Sequence, residues 1–494
     1  MKQQLIISTL SIFTALQFSS QVVAKPKHET ANNKPNVLFI CIDDLRNELG
    51  CYGSMALTPN MDGIAKDGTL FTNHYVAVPT SGASRAALLS GLLPTKREYL
   101  KNDACDYRFV EQKQGENPSN MIQALNRNGY YTVGIGKISH SKGGYAYNDT
   151  SDELQLPNSW DEMLINTGRW NSALDASLGY SDGSSRLTTN GQSKPYECAD
   201  VEEDNDLVDG MSADLALEKL NELSKRNDRA PFCLAVGFMR PHLPFVSPKK
   251  YWDLYDRDKI DISEYGIPKG SGKKGLSSSG EINNQYLNGD EPISLDRDVS
   301  KEYAQKLRHA YYASVSYVDA QIGKIVDRLK ELELEENTII VVWGDHGWHL
   351  GDMRVWGKHT NYEPSLKSTL IIKDPRQKGG AKCSKIVSTI DIYPTLMELC
   401  YVKVDYPLDG QSMCSLLEKP NSKDWRDYAY SYWGTSCSLR VPKYRLTKYN
   451  GDKEQTFLFE FKKNEFETED IAAKRSDIVN NLQPILDRGN SKLF

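Results

Sequence analysis

The chain lacks any Cys-x-x-Cys pair and any Cys/His ladder, so no zinc ribbon is written into its 494 residues. It has no run of about 20 predominantly apolar residues, which excludes a membrane bundle. An excess of positive charge is also missing: 60 Lys and Arg against 66 Asp and Glu leave a net charge of −6. No global basic field therefore draws nucleic acid, and a polyanionic substrate must be met by a local cluster of cations. No internal repeat is present. What remains, 39% hydrophobic and 26% charged residues, suffices for a large core and excludes a disordered chain, a collagen and a small disulfide scaffold. At roughly 150 residues per domain the length allows about three domains, although one large α/β domain with a small companion suits an enzyme of this size.

The N-terminus has the pattern of an export leader. Met1-Lys2 supplies positive charge, residues 5–16 are largely apolar, and Val22-Val23-Ala24 puts small residues at a cleavage point. A signal peptide over residues 1–24 and a mature chain from about Lys25 are expected, exported to the periplasm or secreted. No Cys precedes Cys41, so no membrane anchor of the lipoprotein type is expected. Nine Cys is an odd number for an oxidising compartment. Cys41 and Cys233 lie in apolar runs and read as buried thiols. Cys51, Cys105, Cys198, Cys383, Cys400, Cys414 and Cys437 are the candidates for one or two bridges.

Short apolar runs alternate with helical patterns. Runs at 36–42, 131–135, 232–238 and 338–343, with a shorter one at 370–372, read as buried strands. Tyr303, Leu307, Ala310, Tyr311, Val315, Val318, Ile322, Ile325, Val326 and Leu329 recur at three and four, the mark of a long amphipathic helix. The alternation predicts an α/β fold, a mostly parallel sheet sandwiched by helices. Residues 261–300, rich in Gly, Ser, Asn, Lys and Asp, read as a surface excursion lining a cleft. From about Trp425 short strands at 428–433, 444–448 and 456–461 and a helix at 471–486 predict a smaller α+β unit with a short antiparallel sheet. The expected organisation is a catalytic domain over 25–424 and a C-terminal domain over 425–494.

Polar residues gather where these strands end: Asp43-Asp44, Gly136-Lys137, Arg240-Pro241-His242 and Gly344-Asp345-His346. In open α/β sheets the carboxyl edge is where ligands bind. Val78 to Gly91 adds a loop of small residues opening a helix, with Arg85 in its first turn. A helix N-terminus with a guanidinium fork suits sulfate or phosphate oxygens. Taken alone, Ser81 reads as a helix cap. Gly82-Ala83-Ser84-Arg85-Ala86 approaches the G-x-S-x-G nucleophile elbow but lacks its last Gly and its preceding strand.

Ser81-Gly82-Ala83-Ser84-Arg85 followed by Leu88-Leu89-Ser90-Gly91 resembles the maturation signature of formylglycine-dependent sulfatases, an alkaline-phosphatase-like family in which a Cys or Ser is oxidised to formylglycine. Lys34-Pro35-Asn36 with Asp43-Asp44, Thr58-Pro59-Asn60-Met61-Asp62, Gly136-Lys137, Pro241-His242, Asp345-His346-Gly347 and Trp356-Gly357-Lys358 agree in order, over roughly 34–402. Within the family the likeness is to the iduronate-2-sulfatase branch, carried by Asp44-Leu45-Arg46, Gly50-Cys51-Tyr52-Gly53, residues 234–245, residues 312–317 and Asp345-His346-Gly347-Trp348.

The resemblance implies an O-sulfate hydrolase of sulfated saccharides, exo-acting on a 2-O-sulfated uronic acid. Formylglycine at 81, as its hydrate, would attack sulfur while the alcohol leaves. One cation, calcium by resemblance with magnesium as the alternative, would be held by Asp43, Asp44, Ser81, Asp345 and His346. Arg85, Lys137 and Lys358 would bind the sulfate, His140 would act as base on the diol and His242 would protonate the leaving oxygen. His74, His309, His349 and His359 are left as structural or cleft-lining. Ser rather than Cys at 81 implies an anaerobic radical maturase as partner. Asp352-Met353-Arg354 stands where the family usually has Glu-His-Gly. Two other readings remain: a phosphatase or phosphodiesterase of the same fold using Ser81 directly, and an unmatured glycan-binding protein.

Overall fold

Eight strands form the main sheet of the computed structural model, which describes residues 34–111, 119–228, 230–450, 454–462, 466–489 and 493. The leader expected at 1–24 and the mature start at Lys25 lie outside the described residues. The strands are β1 (Asn36–Ile42), β2 (Thr69–Tyr75), β3 (Tyr131–Gly136), β4 (Glu162–Leu164), β5 (Phe232–Phe238), β6 (Thr338–Gly344), β7 (Leu370–Lys373) and β8 (Ala381–Ser388), in the spatial order β8-β2-β7-β6-β1-β5-β3-β4. Pairing is parallel except at β7, which runs antiparallel to both β6 and β2. The expected mostly parallel sheet is therefore present.

The continuous apolar runs have a simple cause. Leu38, Ile40 and Ile42 of β1 enter one core, and Val37, Phe39 and Cys41 enter a second, because successive side chains of a strand point to opposite faces. β5 and β6 divide their side chains in the same way. The first core is completed by helices α2 (Val208–Leu223) and α3 (Lys301–Glu331), the second by α1 (Ser81–Ser90) and α4 (Ile392–Leu399). α3 contains the predicted periodic stretch and starts at Ser300, whose Oγ accepts the Tyr303 N–H at 3.1 Å.

A second, antiparallel sheet follows: β9 (Ala429–Trp433), β10 (Ser436–Val441), β11 (Tyr444–Tyr449) and β12 (Gln455–Glu460), with α5 (Ser476–Arg488) packed on it. Its Leu439, Leu446 and Leu458, with Leu486 of α5, enter the second core of the main sheet. β10 escapes the sequence reading because Ser436-Cys437-Ser438 breaks its apolar pattern. β2 and β8 escape it for the same reason, carrying polar residues among their apolar ones. All nine cysteines are free, which overturns the expectation of one or two bridges. Cys41 and Cys233 are buried thiols of the second core as expected, and Cys105, Cys383, Cys400 and Cys437 join them there as small apolar side chains instead of bridging.

Candidate active site

The register of the central strands builds the site. Ile42 pairs with Phe238 on one side and Gly344 on the other, and Gly136 pairs with Gly237. Four carboxyl ends thus stop level, and the residues just past them, Asp43, Lys137 and Asp345, meet at one edge. Gly136 takes a left-handed φ of 68°, and a Cβ there would stand 2.4 Å from the Gly237 carbonyl oxygen. Asp44 is also left-handed, φ 62°, a conformation Asp tolerates better than most residues. That twist separates the two neighbouring carboxylates: Asp43 faces Ser81 and Lys137, and Asp44 faces His346 and Lys358.

Helix α1 brings the remaining chemistry from the side. Thr80 occupies the cap position without capping by its side chain, so Ser81 is the first helical residue. The cap reading of Ser81 is thereby corrected. Its Oγ donates to Asp43 Oδ1 at 3.1 Å and lies 3.0 Å from His346 Nε2. Ser84 donates to the Asp345 carbonyl at 2.5 Å and is fully buried, which disposes of the nucleophile-elbow alternative. Arg85, one turn on and fully buried, reaches Asp345 Oδ2 at 3.1 Å and Asp43 Oδ1 at 3.4 Å. Lys137 Nζ donates to Asp43 Oδ2 at 2.5 Å, and Lys358 Nζ to Asp44 Oδ1 at 2.9 Å. Lys358 comes from a two-stranded hairpin, His349–Leu350 with Trp356–Gly357.

The donor set suits a hard divalent cation. Asp44, Asp345 and His346 can each turn a ligand atom to within 4.8 Å of the others, and Ser81 Oγ and an Asp43 oxygen adjoin them. The three carboxylates are almost wholly buried. Burial and the neighbouring Asp43 and Asp345 push the Asp44 carboxyl well above its ordinary range despite Lys358, so its negative form calls for further positive charge. Burial would raise Asp43 too, yet Lys137, His242 and Arg85 hold it well below. His346 Nδ1 lies 2.9 Å from the Gly347 carbonyl, so its N–H donates there and Nε2 keeps a lone pair toward Asp44 and Ser81. Burial lowers this imidazole to about 4, leaving it neutral, as a metal ligand must be.

The two expected proton carriers line the same cleft, with Ser81, Lys137 and Lys358. His140 and His242 are half-buried. Burial and the cations Lys142 and Lys137 keep His140 well below the ordinary imidazole value, so it is neutral. His242 Nδ1 contacts the Leu243 carbonyl at 2.6 Å, which turns Nε2 toward Glu281 at 3.4 Å. Burial and Lys358 likewise lower His242. Glu281 lies on the short helix Gly280–Gln285 within the 261–300 excursion, which thus lines the cleft as expected. Burial would raise its carboxyl, but Lys358 and His242 hold it at about 2. No motif surrounds Glu281 in the sequence; only the return of this loop over the sheet edge places it.

His359 hydrogen-bonds Thr80 Oγ1 through Nε2 at 3.0 Å and stacks on Trp433 of β9, ring centroids 4.6 Å apart. It therefore joins the cleft to the second sheet. His74, His309 and His349 are structural, each hydrogen-bonded to a backbone carbonyl. The unusual Asp352-Met353-Arg354 has a structural use as well. Asp352 is buried against Arg46 at 2.6 Å, and Arg354 pairs with Asp298 of the excursion at 3.2 Å.

With this arrangement established, comparison with known proteins gives the class: the chain belongs to the sulfatase family, whose model, described as Sulfatase, matches residues 35–402. A second model, described as N-sulphoglucosamine sulphohydrolase, C-terminal, matches residues 344–491. The chain is 30% identical to iduronate 2-sulfatase of Homo sapiens over 402 residues, covering 78% of this chain and 70% of the human protein. It is 29% identical to a protein named sulfatase from Formosa agariphila over 470 residues, 93% of this chain and 87% of that one. Its fold is that of a phosphonate monoester hydrolase from Silicibacter pomeroyi, with a TM-score of 0.72 at 21% identity, covering 93% of this chain and 96% of that chain. The chain is thus a sulfatase of alkaline-phosphatase-like fold, a hydrolase of sulfate esters, and its family generally uses a formylglycine and a divalent metal. No helix among the described residues is long and apolar enough to cross a membrane.

Proposed function

We propose that this sulfatase is exported and removes O-sulfate from sulfated saccharides, acting from a chain end on 2-O-sulfated uronic acid, with formylglycine formed from Ser81. The observation that carries the reading is the setting of Ser81. Its Oγ stands between Asp43 and His346, inside a ring of Arg85, Lys137 and Lys358 that suits a tetrahedral anion. The uronate preference rests on the likeness to iduronate 2-sulfatase. Formylglycine at 81 would supply the nucleophile once formed, and Asp43, Asp44, Asp345, His346 and residue 81 would hold a calcium ion, whose chemistry there would be neutralisation of sulfate charge. Arg85, Lys137 and Lys358 hold the sulfate and stabilise the charge that moves during transfer. Neutral His140 accepts a proton at the nucleophile, and His242, in the imidazolium form that the Glu281 carboxylate favours, delivers its Nε2 proton to the departing sugar oxygen. Glu281 sets the direction of that nitrogen. Maturation of a serine calls for an anaerobic radical maturase as partner.

The mass of the tryptic peptide Asp67 to Arg85, from protein made anaerobically in its native host, tests this directly. Position 81 is expected to be lighter than Ser by two hydrogens, or to appear as the hydrate. Plain Ser from that host, together with faster turnover of an aryl phosphate than of an aryl sulfate, would favour direct phosphoryl chemistry at Ser81. The fold shared with a phosphonate monoester hydrolase keeps that second reading in play. Chelation should abolish sulfate release, and add-back of calcium against magnesium identifies the ion.

A further inference from the structure

Four buried cations line or flank the cleft: Arg85, Lys137, Lys142 and Lys358. Three of them are matched by carboxylates of the metal set, at 3.1, 2.5 and 2.9 Å. Lys142 is not. It lies on the loop after β3, 8% exposed, and lines the cleft beside Ser81, His140 and Arg186. Among the described residues no carboxylate pairs with its ammonium. The nearest acidic residue on its own loop, Asp149, is occupied by the backbone N–H groups of Lys142, Gly143 and Tyr145, at 2.9–3.1 Å. That loop is fixed further by Gln155, which accepts the Ser141 N–H at 2.9 Å. Burial and the neighbouring Lys137 bring the Lys142 ammonium down to about 7, the behaviour of a cation short of negative charge. A buried charge without a partner is costly, and a ligand that brings the partner recovers that cost on binding.

We infer that Lys142 is a specificity residue that binds a second anionic group of the same saccharide, a carboxylate or a further sulfate, beside the sulfate that is removed. The inference deepens the proposed function and rests on its placement of the scissile sulfate on Arg85, Lys137 and Lys358. Those three cations and the metal set already serve one anion, so the charge on Lys142 is left for another. Arg186 lines the same cleft but is already engaged by Glu281 at 3.6 Å.

The test measures binding rather than turnover, on the full chain with Ser81→Ala and calcium present. Two pairs of ligands are used. One is the methyl glycoside of 2-O-sulfo-iduronic acid against its carboxyl-reduced counterpart; the other is glucosamine 2-N,6-O-disulfate against N-acetylglucosamine 6-O-sulfate, whose nitrogen is uncharged. The dianion of at least one pair is expected to bind about tenfold tighter or more, the worth of one charge-assisted hydrogen bond. Lys142→Met in the same background brings that ratio to about one, and Lys142→Arg keeps it. Which pair shows the preference tells carboxylate from sulfate. A ratio that survives Lys142→Met, an equal weakening of both members, or no preference in either pair overturns the inference. Failure of the sulfatase reading looks different: a Lys142-dependent preference with no sulfate released by protein carrying formylglycine.

Discussion

Lys358 ties together more of the cleft than any single motif suggests. It pairs with Asp44 at 2.9 Å and Glu281 at 3.6 Å and lies over the Trp348 ring at 5.3 Å. Burial opposes its charge, but Asp44 and Glu281 raise it above its ordinary value, so it stays cationic at any working pH. Lys358→Met is therefore expected to cut kcat/KM by about 10²–10³-fold, the usual loss on removing one preorganised donor, in a sulfate-release assay. At this scale the sequence was highly legible. Asp43, Asp44, Ser81, Arg85, Lys137, His140, His242, Asp345, His346 and Lys358 come together at one sheet edge. Glu281 and Lys142 were not legible, because a lone carboxylate or lysine in a polar loop looks like any solvated one.

The start of α1 depends on close backbone packing. A Cβ on Gly82 would sit 1.9 Å from the Asn102 carbonyl oxygen. Gly82→Ala should therefore displace Ser81 or the facing turn. It is expected to destabilise the chain by about 1–3 kcal/mol and to lose most of its activity, seen by urea unfolding together with the sulfate assay. The join between the sheets depends on buried charge. Glu363 accepts from Tyr75 at 2.6 Å and from Arg445 at 2.5 Å, and Arg445 also reaches Glu467 at 2.7 Å. Removing one member leaves the others uncompensated, so Glu363→Gln is expected to cost about 3–5 kcal/mol in urea unfolding. Here the sequence was only half legible. Period and apolar runs marked β1, β3, β5, β6 and α3, whose residues are buried on one or both sides, but not β2, β8 or β10, where polar residues interrupt the pattern.

Part of the acid sensitivity of the whole molecule lies in neutral buried imidazoles away from the cleft. Burial lowers His74 to about 3 and His349 to about 4, against an ordinary 6.5. Between those values the unfolded chain binds the extra protons, so their stabilisation is complete above pH 6.5 and is lost as the pH falls toward 4 and 3. Each contributes a slope of up to about 1.4 kcal/mol per pH unit. Urea midpoints measured from pH 7 down to 4.5 should fall steadily, and His74→Gln should flatten part of that fall. The sequence by itself determined the α/β class, the central strands, the long helix and most of the residues that the fold gathers at the candidate site. These are written locally, as apolar runs, helical spacing and short motifs at strand ends. Tertiary structure alone decided that nine cysteines remain free, that the second sheet shares the second core, and that Glu281 and Lys142 face the cleft. Those outcomes depend on contacts between segments distant in the chain, whose energies leave no pattern within any one of them.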